Sequence, residues 1–406
     1  MKIKTRLQLS TLMFLQYFVW GTWYVTISTY LTNTLQFAPL QVGLVFGTFS
    51  IAAMISPFFI GLVADKFFAT EKTLGVLHLL GAAVLYLLST FKTFGFFYPG
   101  LLLYAMCYTP TMALSNSLSF HQMEEPGRQF PGIRVLGTIG WIAAGMTIGF
   151  MKVESSVVQL YVAAIVSALL GLYCFTLPHV PPKKETKASF AEIIGLDALK
   201  LLKERSFALI IIASVLTCIP LAFYYSWTNP FLNEIGMKFA ASKMTMGQMS
   251  EIIFMLVMPF FFVRLGVKKM IMIGIAAWVL RYLLFAYGNN DTLVWMLYSG
   301  IILHGICYDF FFVTGQIFVD KKAPGHLRAS AQGMITFATY GLGMFIGTWF
   351  SGVTVGWFTN DMSGQISHQW TPIWLIPMSI ALVVLVLFAL LFRNSATPAP
   401  VKEATG

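Results

Sequence analysis

Two carboxylates interrupt stretches of sequence that are otherwise apolar. Glu251 lies in "TMGQMSEIIFM" (245–255) and Asp309 in "LHGICYDFFFVTGQ" (303–316). An ionised carboxylate at the centre of a membrane helix costs about 2.5–3.5 kcal/mol when it faces lipid, so both residues are expected to face a protein interior. A group held where its charge is costly is a candidate for taking up and releasing a proton. The other role open to both is a polar anchor between helices, paired with Arg281 or a tyrosine, where such bonds add only about 0.6 kcal/mol each.

The neighbours of these carboxylates sharpen the first role. At about 100° per residue, Thr245, Gln248, Glu251 and Met255 share one face of a helix, and His304, Tyr308, Asp309, Phe312 and Gln316 share a broad face of another. Earlier, "LQYFVWGTWYVT" (15–26) puts Gln16, Trp20, Trp23 and Tyr24 on one face. An aromatic wall beside amide groups suits a flat ligand with a polar edge. "PLAFYYSWTNPFL" (220–232) adds Tyr225, Thr228 and Asn229 on one stripe, with Pro230 predicting a break near the helix end. Arg134 and Thr138 occur in "PGIRVLGTIGW" (131–141), and a related "PGHLRASAQGM" (324–334) carries Arg328. Each arginine stands at the mouth of a span, where gating or snorkelling is the competing role for it.

The elements that hold these residues are membrane helices. Of 406 residues, 57% are hydrophobic and only 10% charged, against about 25% charged in soluble domains. Apolar runs long enough to cross a hydrocarbon core of about 30 Å recur about twelve times. They lie near 8–32, 42–64, 73–91, 96–118, 133–151 and 157–177, and then near 207–231, 244–263, 270–288, 293–318, 329–357 and 370–392. The expected organisation is a six-helix bundle over 1–177, a cytoplasmic linker over 178–206 with an amphipathic helix from Ala188 to Lys203, a second bundle over 207–393, and a cytoplasmic tail over 394–406. "PFFIGLVADK" (57–66) and "PFFFVRLGVKK" (259–269) add to the impression of two repeated halves. Repeats of this kind mark secondary transporters, whose sites lie between the halves.

The net charge of +10 does not indicate nucleic acid. With an inside N-terminus, 21 of the 26 Lys and Arg fall on one side. Lys92, Lys152, Lys238 and Lys243 fall on the other, and Arg281 lies within a span. That asymmetry places both termini in the cytoplasm. The first span is read as retained, because no cleavage site follows it. The four cysteines and six histidines show no metal-type spacing. No HExxH or nucleophile motif suggests a membrane enzyme, no Walker A sequence suggests ATP drive, and no soluble effector domain suggests a receptor.

In order along the chain, "FVWGTWYVT" (18–26), "GLVADK" (61–66), "TPTMALSNSLSF" (109–120), "FPGIRVLGTIGW" (130–141), "IGLDALKLL" (194–202), "YDFFFVTGQIFVDKKAP" (308–324) and "RASAQGM" (328–334) resemble the bacterial nucleoside:proton symporter family. The family belongs to the major facilitator superfamily, and the resemblance is nearest its less characterised transporter-like branch. It implies an all-α integral membrane protein with about twelve helices in two pseudo-symmetric halves. It also implies proton-coupled import of nucleosides across the bacterial inner membrane by alternating access, with the proton gradient as the only driving force and no cofactor or metal. The alternatives are proton-coupled transport of another polar solute such as a sugar, or drug/proton antiport.

By resemblance, Gln248, Glu251, Asp309, Arg134 and Thr138 line the cavity, and Asp309 and Glu251 couple the proton. Trp20, Gln16, Tyr225, Asn229, Tyr308, His304 and Phe312 join the substrate-binding set, and Asp65 and Arg328 gate it. Better-known members carry further amides where this chain has Ala222 and Tyr225, which bears on substrate choice. Partners are then a nucleoside, protons and the lipid bilayer, with the chain a monomer and no nucleic acid involved.

Overall fold

The computed structural model describes residues 1–181, 196–362 and 365–393. Its helices are apolar around most of their circumference, as segments with lipid on one side and protein on the other must be. In hydrocarbon each backbone group needs a partner within its own segment, which selects helices. The first span is split into α1 (Ile3–Gly21) and α2 (Ile27–Asn33) by turns over 22–26. Then follow α3 (Pro39–Phe67), α4 (Thr70–Leu88), α5 (Phe94–His121), α6 (Pro131–Met151) and α7 (Val158–Cys174).

After the linker, α8 (Arg205–Glu234) is the seventh span, and α9 (Ala240–Tyr287) contains the eighth and ninth, parted at Gly266 with φ 69°. The tenth consists of α10 (Val294–Ile302), α11 (His304–Tyr308), a π-helical turn over Asp309–Val313 and α12 (Thr314–Lys322). The eleventh joins α13 (Arg328–Thr336) to α14 (Met344–Trp357) through a second π-helical turn over Phe337–Gly343. A hairpin of β1 (Thr359–Met362) and β2 (Gln365–His368) precedes α15 (Trp370–Leu391). Seven described helical stretches, with α9 and the whole tenth span Val294–Lys322 each counted as one, are long and apolar enough to cross a bilayer.

Six spans therefore stand on each side of the linker, and their pairing repeats. In the first half α1 packs on α6, α3 on α5 and α4 on α7; six spans later α8 packs on α14, the first part of α9 on α11, and its second part on α15. The halves meet through α6 with the first part of α9, and through α3 with α14. Small residues permit the close approach. A side chain on Gly149 would meet the backbone nitrogen of Ser242 at 2.6 Å, and one on Gly352 would meet the Leu40 Cα at 3.1 Å.

Three expectations are corrected. Pro230 does not end its helix, which runs on to Glu234; the turn beyond it is held by Asn233 Nδ2 donating to Asn229 O at 3.0 Å. The described end of the linker, Leu196–Lys203, is a 3-10 helix and not an α-helix. The first span is not one continuous helix. The rest of the expected amphipathic helix, the 394–406 tail and the side chain of Asp65 lie outside the described residues. At its start the linker is fastened to α4, where Glu71 accepts from Val180 N at 3.0 Å and pairs with His179 Nδ1 at 2.8 Å.

Candidate functional site

A cavity of about 440 Å³ lies between the halves. That is within the range of roughly 300–1,000 Å³ usual for small-molecule sites. The first half supplies its aromatic wall. Trp20, from the last turn of α1, stands edge-on to Trp141 of α6 with centroids 5.1 Å apart, and lies parallel to Phe49 of α3 at 5.9 Å. Tyr24, in the break between α1 and α2, meets Tyr225 of α8 edge to face at 5.7 Å, so the two halves share this wall. Arg134 and Thr138 face the same space from the start of α6, and Asn116 from α5. The Arg134 guanidinium carbon sits 4.1 Å from the Tyr17 ring centre, a cation–π contact that fixes its direction. Trp20 Nε1 and Asn116 Oδ1 have no protein hydrogen-bond partner among the described residues.

The second half contributes Gln248 and Glu251 from α9, one helical turn apart, together with Tyr225, Tyr308 and Tyr340. The hydroxyls of Tyr308 and Tyr340 are hydrogen-bonded to each other across the tenth and eleventh spans. The Glu251 side chain retains 20% exposure, the only access a carboxylate has to this wall among the described residues.

The structure thus brings Trp20, Arg134, Thr138, Tyr225, Gln248, Glu251 and Tyr308 together around one space. It leaves the other expected residues off the wall. Gln16 is buried behind it, donating to Thr111 Oγ1 at 2.7 Å and accepting from His78 Nε2 at 2.8 Å, so its amide is already satisfied. His304 stands behind Glu251, and Phe312 packs against Tyr308 and Phe311. Asp309 is fully buried and outside the lining, with neither carboxylate oxygen hydrogen-bonded among the described residues. Arg328 is exposed at the start of α13. The reason for the tenth-span misplacement is geometric. A uniform 100° step assumes an unbroken α-helix, whereas this span breaks at Leu303 and widens to a π-helical turn at Asp309, which turns its faces.

Asn229 belongs to a second polar centre, at the bundle end opposite the termini. Glu154, only 6% exposed in the link between α6 and α7, accepts from Asn229 Nδ2 at 2.8 Å, Asn233 Nδ2 at 2.7 Å and the Ala241 backbone nitrogen at 3.0 Å. The last of these stands in the first turn of α9, where backbone nitrogens lack helical partners and favour an anion. Thr29 of α2 donates to Asn229 Oδ1 at 2.5 Å. Gln159 clamps the Glu154 carbonyl at 2.9 Å and itself accepts from Thr26 at 2.7 Å. Among the described residues every donor to the Glu154 carboxylate comes from the other half, so this network seals one face of the molecule. The cavity lies on the termini side of that seal.

Phe49, Trp141, Asn116 and Tyr340 line the cavity without having been singled out from sequence, whereas Tyr24 was read on the aromatic face of the first span. Asn116 carried a signal, since an amide inside an apolar span needs a partner. Phe49, Trp141 and Tyr340 carried none, because Phe, Trp and Tyr are equally at home in packing. Glu154 read as an ordinary loop acid.

The profile of the nucleoside H+ symporter family matches residues 1–397. The chain is 40% identical over 404 residues to YegT of Escherichia coli (strain K12), covering 97% of this chain and 95% of that protein. It is 34% identical over 413 residues to the xanthosine permease of the same organism, covering 98% of each. The crystal structure of the nucleoside transporter NupG aligns with a TM-score of 0.89 at 33% identity, over 97% of this chain and 100% of that one.

Proposed function

The chain belongs to the nucleoside H+ symporter family and is a membrane transporter, and from that premise we propose that it imports nucleosides together with protons across the bacterial inner membrane. The observation that carries this reading is the cavity wall itself, with stacked aromatic rings on one half and Gln248 and Glu251 on the other. A nucleobase offers a π-face and a polar edge, and stacking on aromatic side chains contributes about 1–3 kcal/mol per base in single-stranded nucleic acid. Trp20, Phe49 and Trp141 take the base; Gln248, Arg134 and Asn116 take its edge and the sugar hydroxyls.

Glu251 binds the proton where it can also sense the substrate, and Asp309 provides a second carboxyl deeper in the same half. With both termini cytoplasmic, the sealed face is the outer one and this conformation faces inward. Substrate then leaves towards the cytoplasm, Glu251 releases its proton into the cavity, and the halves rock so that the seal at Glu154 opens. Asp65 and Arg328 stand towards the cytoplasmic ends of their spans, where closure in the alternate state would bring them into play.

Uptake of radiolabelled uridine, adenosine and xanthosine by transporter-deficient bacterial cells, with and without a protonophore, tests this. Accumulation above the external concentration that the protonophore abolishes is expected. Absence of nucleoside uptake at every pH, or accumulation of a sugar in its place, would overturn the assignment.

A further inference from the structure

Arg281, in the second part of α9, is fully buried and takes part in no ion pair among the described residues. Its guanidinium carbon lies 3.5 Å from the centre of the Tyr224 ring, with Trp278 at 5.2 Å and Phe285 at 5.7 Å. Nη1 lies 3.1 Å from Nδ1 of His304, while Nε and Nη2 make no well-aligned hydrogen bond among the described residues, with Tyr224 and Cys307 beside the guanidinium. A buried guanidinium without a counter-charge is costly, so its retention calls for an anion near by.

Chemistry assigns the protons in this contact. A guanidinium has donors only, so His304 Nδ1 must accept and carries no hydrogen. The imidazole is then neutral, with its hydrogen on Nε2. That nitrogen has no hydrogen-bond partner among the described residues and lies 3.9 Å from Oε2 of Glu251. The ring itself is held fast: it stacks on Tyr224 with centroids 4.9 Å apart and planes 24° apart, and a side chain on Gly247 would meet its Cβ at 3.1 Å.

We propose that Arg281 and His304 are positioning residues for the proton step. Arg281 fixes the His304 tautomer, and the Nε2 hydrogen holds the Glu251 carboxylate in its ionised form between release of one proton and uptake of the next. The gap of 3.9 Å closes by rotation of the Glu251 side chain when the carboxylate becomes ionised, and Arg281 then has its counter-charge on the far side of the ring. No proton passes through His304. The proton lost by Glu251 goes to cavity water, and the imidazole keeps its own. The other titratable or charged groups that interact electrostatically with Glu251 are Arg134 and Tyr17 from the first half, and Tyr224, Tyr225, Tyr308, Tyr340 and Asp309 from the second. None of these titratable groups supplies a neutral nitrogen donor, and the Gln248 amide, one turn away on α9, is the one other such donor beside Glu251 on that helix. The inference rests on the reading of the protein as a proton-coupled nucleoside symporter.

The test compares Arg281→Gln, His304→Phe and His304→Gln with the unaltered protein in proteoliposomes, reading pH-driven uridine accumulation beside uridine counterflow, which needs no net proton movement. His304→Phe and Arg281→Gln are expected to lower accumulation by roughly tenfold or more, the equivalent of one hydrogen bond to a charged group. Counterflow is expected to persist and the pH profile of accumulation to move. His304→Gln keeps a nitrogen donor and is expected to recover most of the accumulation. Parallel loss of both readouts in His304→Phe, or wild-type accumulation by it at every pH, would overturn the pairing while leaving the transport reading intact. Nitrogen-15 spectra of histidine-labelled full-length protein, assigned by difference against His304→Gln, give an answer independent of transport. A neutral Nε2–H form is expected, and an Nδ1–H form or an imidazolium overturns the proposal. If the unaltered protein accumulates no uridine, the functional reading falls and this inference falls with it.

Discussion

At the scale of single residues, the two carboxylates that sequence made equal are unequal in the structure. Glu251 opens onto the cavity and Asp309 does not. Glu251→Gln is therefore expected to cut proton-driven accumulation by about 10² or more, the usual scale for a positioned acid–base group, while counterflow survives. Asp309→Asn is expected to cut accumulation but leave uridine affinity, read by isothermal titration, near that of the unaltered protein. A large loss of affinity would return Asp309 to the binding site. Arg134 is stacked on Tyr17 and presents a planar fork to the cavity, which Lys cannot reproduce. Arg134→Lys should weaken uridine binding by roughly tenfold, or about 1.4 kcal/mol, and equal affinity would assign Arg134 to gating instead.

Elements explain what sequence could and could not disclose. The positions of all twelve spans were legible, because length and hydrophobicity set them and lipid leaves no other choice. On the regular first part of α9 the pitch was legible in part: Gln248 and Glu251 fall together on the cavity wall while Thr245 and Met255 lie off it, and Arg134 and Thr138 of α6, which resemblance supplied, meet them there. The tenth span defeated the same arithmetic at His304, Asp309 and Phe312, because its pitch is set by a partner. Ser250 of α9 donates to Ile302 O at 2.6 Å and accepts from Gly305 N at 2.9 Å, satisfying the backbone at the break from outside the span. No local pattern in "LHGICYDFFFVTGQ" announces a hydroxyl on another helix. Ser250→Ala should leave both groups unpaired and cost about 1–3 kcal/mol, read as a lower unfolding temperature in detergent. An unchanged temperature would mean that the break is held by α10 and α11 alone.

For the whole molecule, the seal around Glu154 adds to the stability of the sealed conformation, since these three donors come from the opposite half. Glu154→Ala strips three donors of their acceptor and should speed labelling of a cysteine placed at Ser242 by a membrane-impermeant thiol reagent added outside the cell. Labelling no faster than in the parent would show that Gly149, Gly352 and their neighbours suffice to hold the face shut. The charge asymmetry predicts that a fluorescent protein fused after Gly406 will fold and emit in the cytoplasm, and a dark fusion would reverse the orientation. The left-handed residue Gly266 bears on how such a molecule is made. It joins two spans end to end within α9, with Arg264 over the Phe260 ring and Lys268 bonded to Ala389 O beside it. With so short a link between them, the two spans form one hairpin whose tip carries Arg264, Lys268 and Lys269. The hinge conformation, at ψ 173°, is one that only glycine adopts without strain. A substitution at Gly266 strains this link and is expected to lower the amount of folded protein recovered from membranes, and an unchanged yield would show that the link tolerates another residue.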